Sequence, residues 1–124
     1  MNENRVNRVL ACMQELNMEQ ILVTDPTSIF YLTNHFEEPI ERFWGLLVKK
    51  DGEHKLIANR LFTLPEVENV DIVWYADGES AVDKLAEYVD SAKPLGIDGV
   101  TKAKFLLEMM TRKLQQSILI LQKL

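Results

Sequence analysis

The sequence predicts an α/β domain built on a mixed sheet, and three observations lead there. Short apolar runs, mostly β-branched or leucine-rich, alternate with segments whose apolar residues recur at helical spacing. Asp51-Gly52 lies between two such runs and marks a hairpin, which puts antiparallel neighbours into the sheet. The 124 residues contain no repeat, low-complexity stretch or internal linker, so residues 1–124 read as one domain that buries roughly two-thirds of its unfolded surface.

The elements follow in order. Asn2 or Asn4 caps a first helix whose inward stripe is Val6, Val9, Leu10, Met13 and Leu16, with Arg5, Arg8 and Glu15 toward water and Asn17 as the stop. Ile21-Leu22-Val23 is a strand buried on both faces, ended by Asp25-Pro26 because proline cannot continue a ladder. Thr27 or Ser28 starts a turn or short helix through Ile29, Phe30 and Leu32. Trp44–Val48 and Lys55–Ala58 flank the Asp-Gly turn as antiparallel strands.

Beyond the hairpin, Asn59–Leu64 reads as a helical turn closed by Pro65, and Val70–Tyr75 as a further strand. Asp77-Gly78 turns the chain. Ser80 caps a helix with Val82, Leu85, Ala86 and Val89 inward and Asp83 at the capping-box position. Pro94–Ile97 is a short strand followed by the Asp98-Gly99 turn. Thr101 caps a helix carrying Phe105, Leu106, Met109, Met110 and Leu114, and Ser117–Leu121 is a last β-rich run.

Composition narrows the function. The net charge is -5, with lysines and arginines spread along the chain, so the basic stripe that phosphate backbones require is missing and nucleic acid is not an expected partner. The single cysteine, Cys12, falls on an apolar-periodic segment and reads as a buried, inert thiol. The polar N-terminus does not resemble a signal peptide, and no apolar run is long enough to span a bilayer. A cytoplasmic protein with no membrane partner is the expectation.

The familiar catalytic patterns are missing. His35 and His54 belong to no paired-ligand motif, and the acids mostly flank helices and turns, where solvation and helix-dipole complementarity account for them. No serine sits in G-x-S-x-G, and the glycines fall singly at turns rather than in a phosphate-binding loop. What stands out is the stretch from Tyr31 to Val48. It places His35, Glu37, Glu38, Pro39, Glu41 and Arg42 directly before a core strand, with no glycine to ease the turn. An ordinary surface loop has this polarity. An ordered loop that touches a ligand or a second protein has it too, with the Arg42 guanidinium pairing with one of the loop's own acids to hold its shape.

The residues that bound this stretch carry a resemblance. Arg8-Val9-Leu10, the run Ile21-Leu22-Val23-Thr24-Asp25-Pro26, then Ile29-Phe30-Tyr31-Leu32-Thr33, Glu41-Arg42, the Leu-Leu-Val strand, the Asp-Gly hairpin and Leu95-Gly96-Ile97-Asp98 resemble the N-terminal domain of the creatinase, prolidase and aminopeptidase P family. The resemblance covers nearly the whole chain and implies a ribonuclease-H-like mixed sheet with flanking helices. It also implies a metallopeptidase that cleaves the bond before proline. Two divalent ions, manganese, cobalt or zinc, are then held by a separate C-terminal catalytic domain, where metal-activated water attacks the scissile carbonyl. Residues 1–124 are expected to be the non-catalytic part, holding no catalytic residue and no metal, and to stop near the linker to that domain.

The resemblance further implies a homodimer in which the loop after Tyr31-Leu32-Thr33 approaches peptide substrate in the neighbouring subunit. His35, Glu38 and Arg42 are the residues it would bring near substrate. Two positions depart from the family pattern: Asn34 stands where glycine is usual, and Ile40 where bacterial dipeptidases often have histidine. A stand-alone interaction module of the same fold and the N-terminal domain of a creatinase-like amidinohydrolase are the alternatives.

Overall fold

The computed structural model describes residues 1–112 and 118–121, the last four by backbone alone. Ten elements lie among the described residues: α1 (Glu3–Leu16), β1 (Gln20–Val23), α2 (Pro26–Thr33), β2 (Gly45–Lys49), β3 (Lys55–Asn59), β4 (Asp71–Tyr75), α3 (Ala81–Ala86), β5 (Leu95–Asp98), α4 (Ala103–Thr111) and β6 (Ile118–Leu121). The six strands form one sheet in the order β4-β3-β2-β1-β5-β6. Pairs β1–β2 and β2–β3 are antiparallel; β3–β4, β1–β5 and β5–β6 are parallel. The sheet is mixed, as its sequence predicts.

Strand periodicity distributes the core. Side chains alternate across a strand, so Ile21, Val23, Leu46, Val48, Leu56 and Ala58 face one layer, which α1 and α2 close with Val6, Val9, Met13, Ile29 and Leu32. Leu22, Leu47 and Ile57 face the other, closed by Val82 and Leu85 of α3 and Met109 of α4. Because β1 is covered on both faces, all four of its residues are buried.

Local chemistry sets most of the boundaries. Asn2 caps α1 by accepting from Arg5 N, and Asn17 ends it in the left-handed region at φ 60°, which asparagine tolerates better than most residues. Gly52, at φ 87°, turns the β2–β3 hairpin. Ser80 caps α3 by accepting from Asp83 N.

Other expectations need correction. Leu16 is half exposed because the helical stripe drifts off the core at the end of α1, and Cys12 is half-buried because it lies beside the inward stripe of Val6, Val9 and Met13 rather than on it. The helix at Pro26–Thr33 starts earlier than Thr27 or Ser28, since Asp25 is its cap and Pro26 its first residue, where a missing N–H costs nothing. Asn59–Leu64 holds only a tight turn, closed by Phe62 N donating to Asn59 O. Thr101 does not cap α4. Its hydroxyl bonds Asp98, and Lys102 takes the cap position without a side-chain bond. The Asp83 carboxylate pairs with Arg112 rather than closing a capping box. Met110 is exposed, and Leu114 lies outside the described residues.

Candidate functional site

The polar stretch emerges as a loop, residues 34–44, that runs from the C-terminus of α2 to the start of β2. Its first end is fixed by α2. Asn34 leaves the helix at φ 65° with its N–H on Phe30 O, so asparagine supplies here the left-handed residue that glycine otherwise provides. The Thr33 hydroxyl donates to Ile29 O at 2.7 Å and accepts from His35 N at 3.1 Å, which ties the second loop residue back to the helix.

The second end is fixed by β4 and the turn after it. Arg42 Nε and Nη2 donate to Asp77 Oδ1 and Oδ2 at 3.0 and 2.9 Å, a two-pronged pair that suits guanidinium geometry. Asn59 Nδ2 donates to the same Oδ1 at 2.8 Å. One residue on, the Tyr75 hydroxyl donates to Phe43 O at 2.7 Å in the buried core. The loop thus hangs between two pinned ends.

Arg42 is therefore held, but not by Glu37, Glu38 or Glu41. Its partner comes from a turn 35 positions further along the chain. The pairing draws the Asp77 carboxyl down to about 2, through the bonds from Arg42 and then Asn59, and raises the Arg42 guanidinium. Burial pushes the Glu37 carboxyl upward.

Among the described residues, the side-chain bonds of Arg42 go to Asp77 and not to His35 or Glu38. His35 is half-buried and Glu38 exposed, and among the described residues neither side chain has a hydrogen-bond partner. Between them and Arg42, Ile40 stands at φ 56° and is 77% exposed. Phe30 and Phe36 pack edge-to-face with ring centroids 6.3 Å apart. Tyr31, next to the buried Leu32, is 45% exposed under the Arg5 guanidinium.

Under the loop lies a cavity of about 140 Å³ lined by Asp25, Pro26, Pro39, Arg42, Lys102 and Phe105, among others. It sits at the C-terminal ends of β1 and β5, the edge of an open α/β sheet where loops gather. Asp98 closes that edge: its carboxylate accepts from Thr24 N, Asp25 N and the hydroxyls of Thr24 and Thr101. Those bonds occupy the group as a structural brace. Among the described residues no three His, Cys, Asp or Glu side chains converge as a metal ion needs, so these residues do not fit a metal centre.

Asp77, Asn59 and Tyr75 were invisible to sequence reasoning as parts of this site. Asp77-Gly78 reads as turn chemistry, and it does turn the chain, with Gly78 at φ 93°. Nothing within several residues of Asp77 signals its second task.

A sheet with helices on both faces, carrying a polar loop pinned at both ends, defines the class of protein. The sequence profile of the Creatinase/Prolidase N-terminal domain matches residues 5–120, and the chain belongs to that family. Among curated relatives it is 29% identical over 106 residues to an uncharacterized peptidase of Staphylococcus aureus, a match covering 83% of this chain. It spans only 27% of that relative's length. The fold is similar to that of the proline dipeptidase from Streptococcus agalactiae, with a TM-score of 0.78 at 19% identity over 97% of this chain and 94% of that one. It is also similar to the Creatinase/Prolidase N-terminal domain of an X-Pro dipeptidase from Streptococcus pyogenes, with a TM-score of 0.75 at 20% identity over 87% and 86% of the two chains. The dipeptidase from Pyrococcus horikoshii gives a TM-score of 0.78 at 23% identity, over 94% of this chain and 34% of that one.

Proposed function

We propose that residues 1–124 form the non-catalytic N-terminal domain of a cytoplasmic, metal-dependent Xaa-Pro dipeptidase. The carrying observation is the family match over residues 5–120, joined to relatives of which this chain spans about a quarter. In this reading the hydrolysis of the bond before proline, and the two divalent ions it uses, belong to a C-terminal catalytic domain. The N-terminal domain formed by residues 1–124 supplies the dimer contact and the wall of the substrate entrance.

The loop over residues 34–44 is its working part. An exposed polar segment held at both ends keeps a defined shape without being buried, which is what a surface that admits one class of peptide requires. Arg42 keeps that shape, and His35 and Glu38 are presented to substrate from it.

The test uses the complete protein that carries these residues, assayed on Xaa-Pro dipeptides and on creatine with manganese supplied. Hydrolysis of the dipeptides supports the reading, and their complete inertness overturns it. Arg42→Ala should raise KM by about tenfold with kcat held, the pattern of lost substrate binding without loss of transition-state stabilisation. Unchanged kinetics would reduce the loop to a structural part.

A further inference from the structure

The geometry points to Asp77 as a positioning residue for the 34–44 loop, acting through Arg42. The idea rests on the dipeptidase reading for its catalytic consequence, though its structural half stands apart from that reading. Asp77 lies outside the loop, on the turn between β4 and α3. Its two carboxylate oxygens take both prongs of Arg42, and Asn59, which is fully buried, orients Oδ1 from below. Asn59 is itself fixed, since its own Oδ1 accepts from Leu61 N at 2.9 Å. The turn is braced separately, by Glu79 N donating to Ala76 O and by the Glu79 carboxylate accepting from Ala76 N. A rigid turn therefore presents a pre-aimed carboxylate to the only arginine of the loop.

Exposure separates this role from a merely stabilising one. The side chains of Arg42 and Asp77 are 36% and 56% exposed, and pairs so open to water contribute little to global stability. The next backbone bond inward, Arg42 N donating to Pro39 O at 2.9 Å, closes the tip around Ile40. Losing the Asp77 pair loosens that tip while the core stays intact.

Asp77→Asn is the appropriate variant. It keeps an oxygen acceptor for Asn59 but sets an amide donor against Arg42 Nη2. Arg42→Gln breaks the same contact from the other side. In the complete protein, hydrogen exchange of the Arg42 amide, which the fold holds on Pro39 O, should quicken by about tenfold in either variant, as expected for a lost bond between charged groups. The double variant should be no faster than the singles, because both remove one interaction. The melting temperature should move by no more than about 3 °C. On Xaa-Pro dipeptides, KM should rise equally in both single variants with kcat unchanged.

Wild-type exchange in Asp77→Asn, or effects that add in the double variant, would overturn the inference. A wild-type protein that fails to cleave Xaa-Pro dipeptides overturns the proposed function instead, and the exchange measurements still decide the role of Asp77.

Discussion

Ile40 combines two unfavourable features in one residue. A β-branched side chain at φ 56° clashes with its own backbone, and 77% exposure leaves its apolar surface in water. Strain of this kind costs roughly 1–3 kcal/mol and persists where neighbouring structure imposes it, here Pro39 on one side and the anchored Arg42 on the other. Ile40→Gly should therefore stabilise the chain by about 1 kcal/mol in urea denaturation, glycine's extra unfolded freedom taking back part of the gain. Equal or lower stability would show that the isoleucine side chain contributes packing that offsets its backbone. Gly45 presents the opposite case. A Cβ there would come within 2.6 Å of Phe43 Cε1 and 2.8 Å of Cζ, against a ring that is 2% exposed. Gly45→Ala should cost about 1–3 kcal/mol by overpacking, measured in the same way. A wild-type midpoint would mean that Phe43 swings aside freely.

At the scale of elements, the β2–β3 hairpin has a property beyond its turn. His54 is buried just past the turn, and its Nδ1 accepts from Lys49 N at 3.1 Å. Burial lowers the imidazole pKa below its ordinary value near 6.5, against the smaller raising effects of Asp51 and Glu53. The folded hairpin thus holds the neutral ring. As pH falls below about 6.5 the unfolded chain takes up a proton that the folded chain resists, and stability declines from there. Above that pH the contribution is complete. Urea midpoints between pH 7.5 and 5 should fall in the wild type and flatten in His54→Gln. Parallel slopes would place the titration elsewhere. The β1 strand shows a related economy. Gln20, 1% exposed, donates to Asp90 O at 2.8 Å and Lys93 O at 3.2 Å and accepts from Asp90 N, so one amide satisfies the connection that leads into β5.

Across the whole molecule, the two cores share the strands β1, β2 and β3, so neither can melt while the other stays packed. Leu56 and Ile57 are adjacent on β3, each 0% exposed, and face opposite layers. Leu56→Ala and Ile57→Ala should each cost roughly 2–5 kcal/mol by opening a cavity. In both variants far-UV circular dichroism and tryptophan fluorescence should report one coincident transition. Separate transitions would mean that the layers unfold independently. Among the described residues no helix is long and apolar enough to cross a membrane.

The sequence by itself determined what depends on a few neighbouring residues: the type and place of most elements, the Asp51-Gly52 hairpin, the helix stop at Asn17 and the polar loop between Thr33 and the β2 strand. Each of these rests on local sterics, capping or periodicity, which act within a turn or two of chain. The tertiary structure alone decided the strand order with β1 near the centre, the exposure of Leu16, Tyr31 and Met110, and the meeting of Arg42 with Asp77. That meeting joins positions 35 residues apart. Several acids nearer Arg42 in sequence are equally suitable by charge, and only the parallel pairing of β3 with β4 brings the chosen carboxylate within reach.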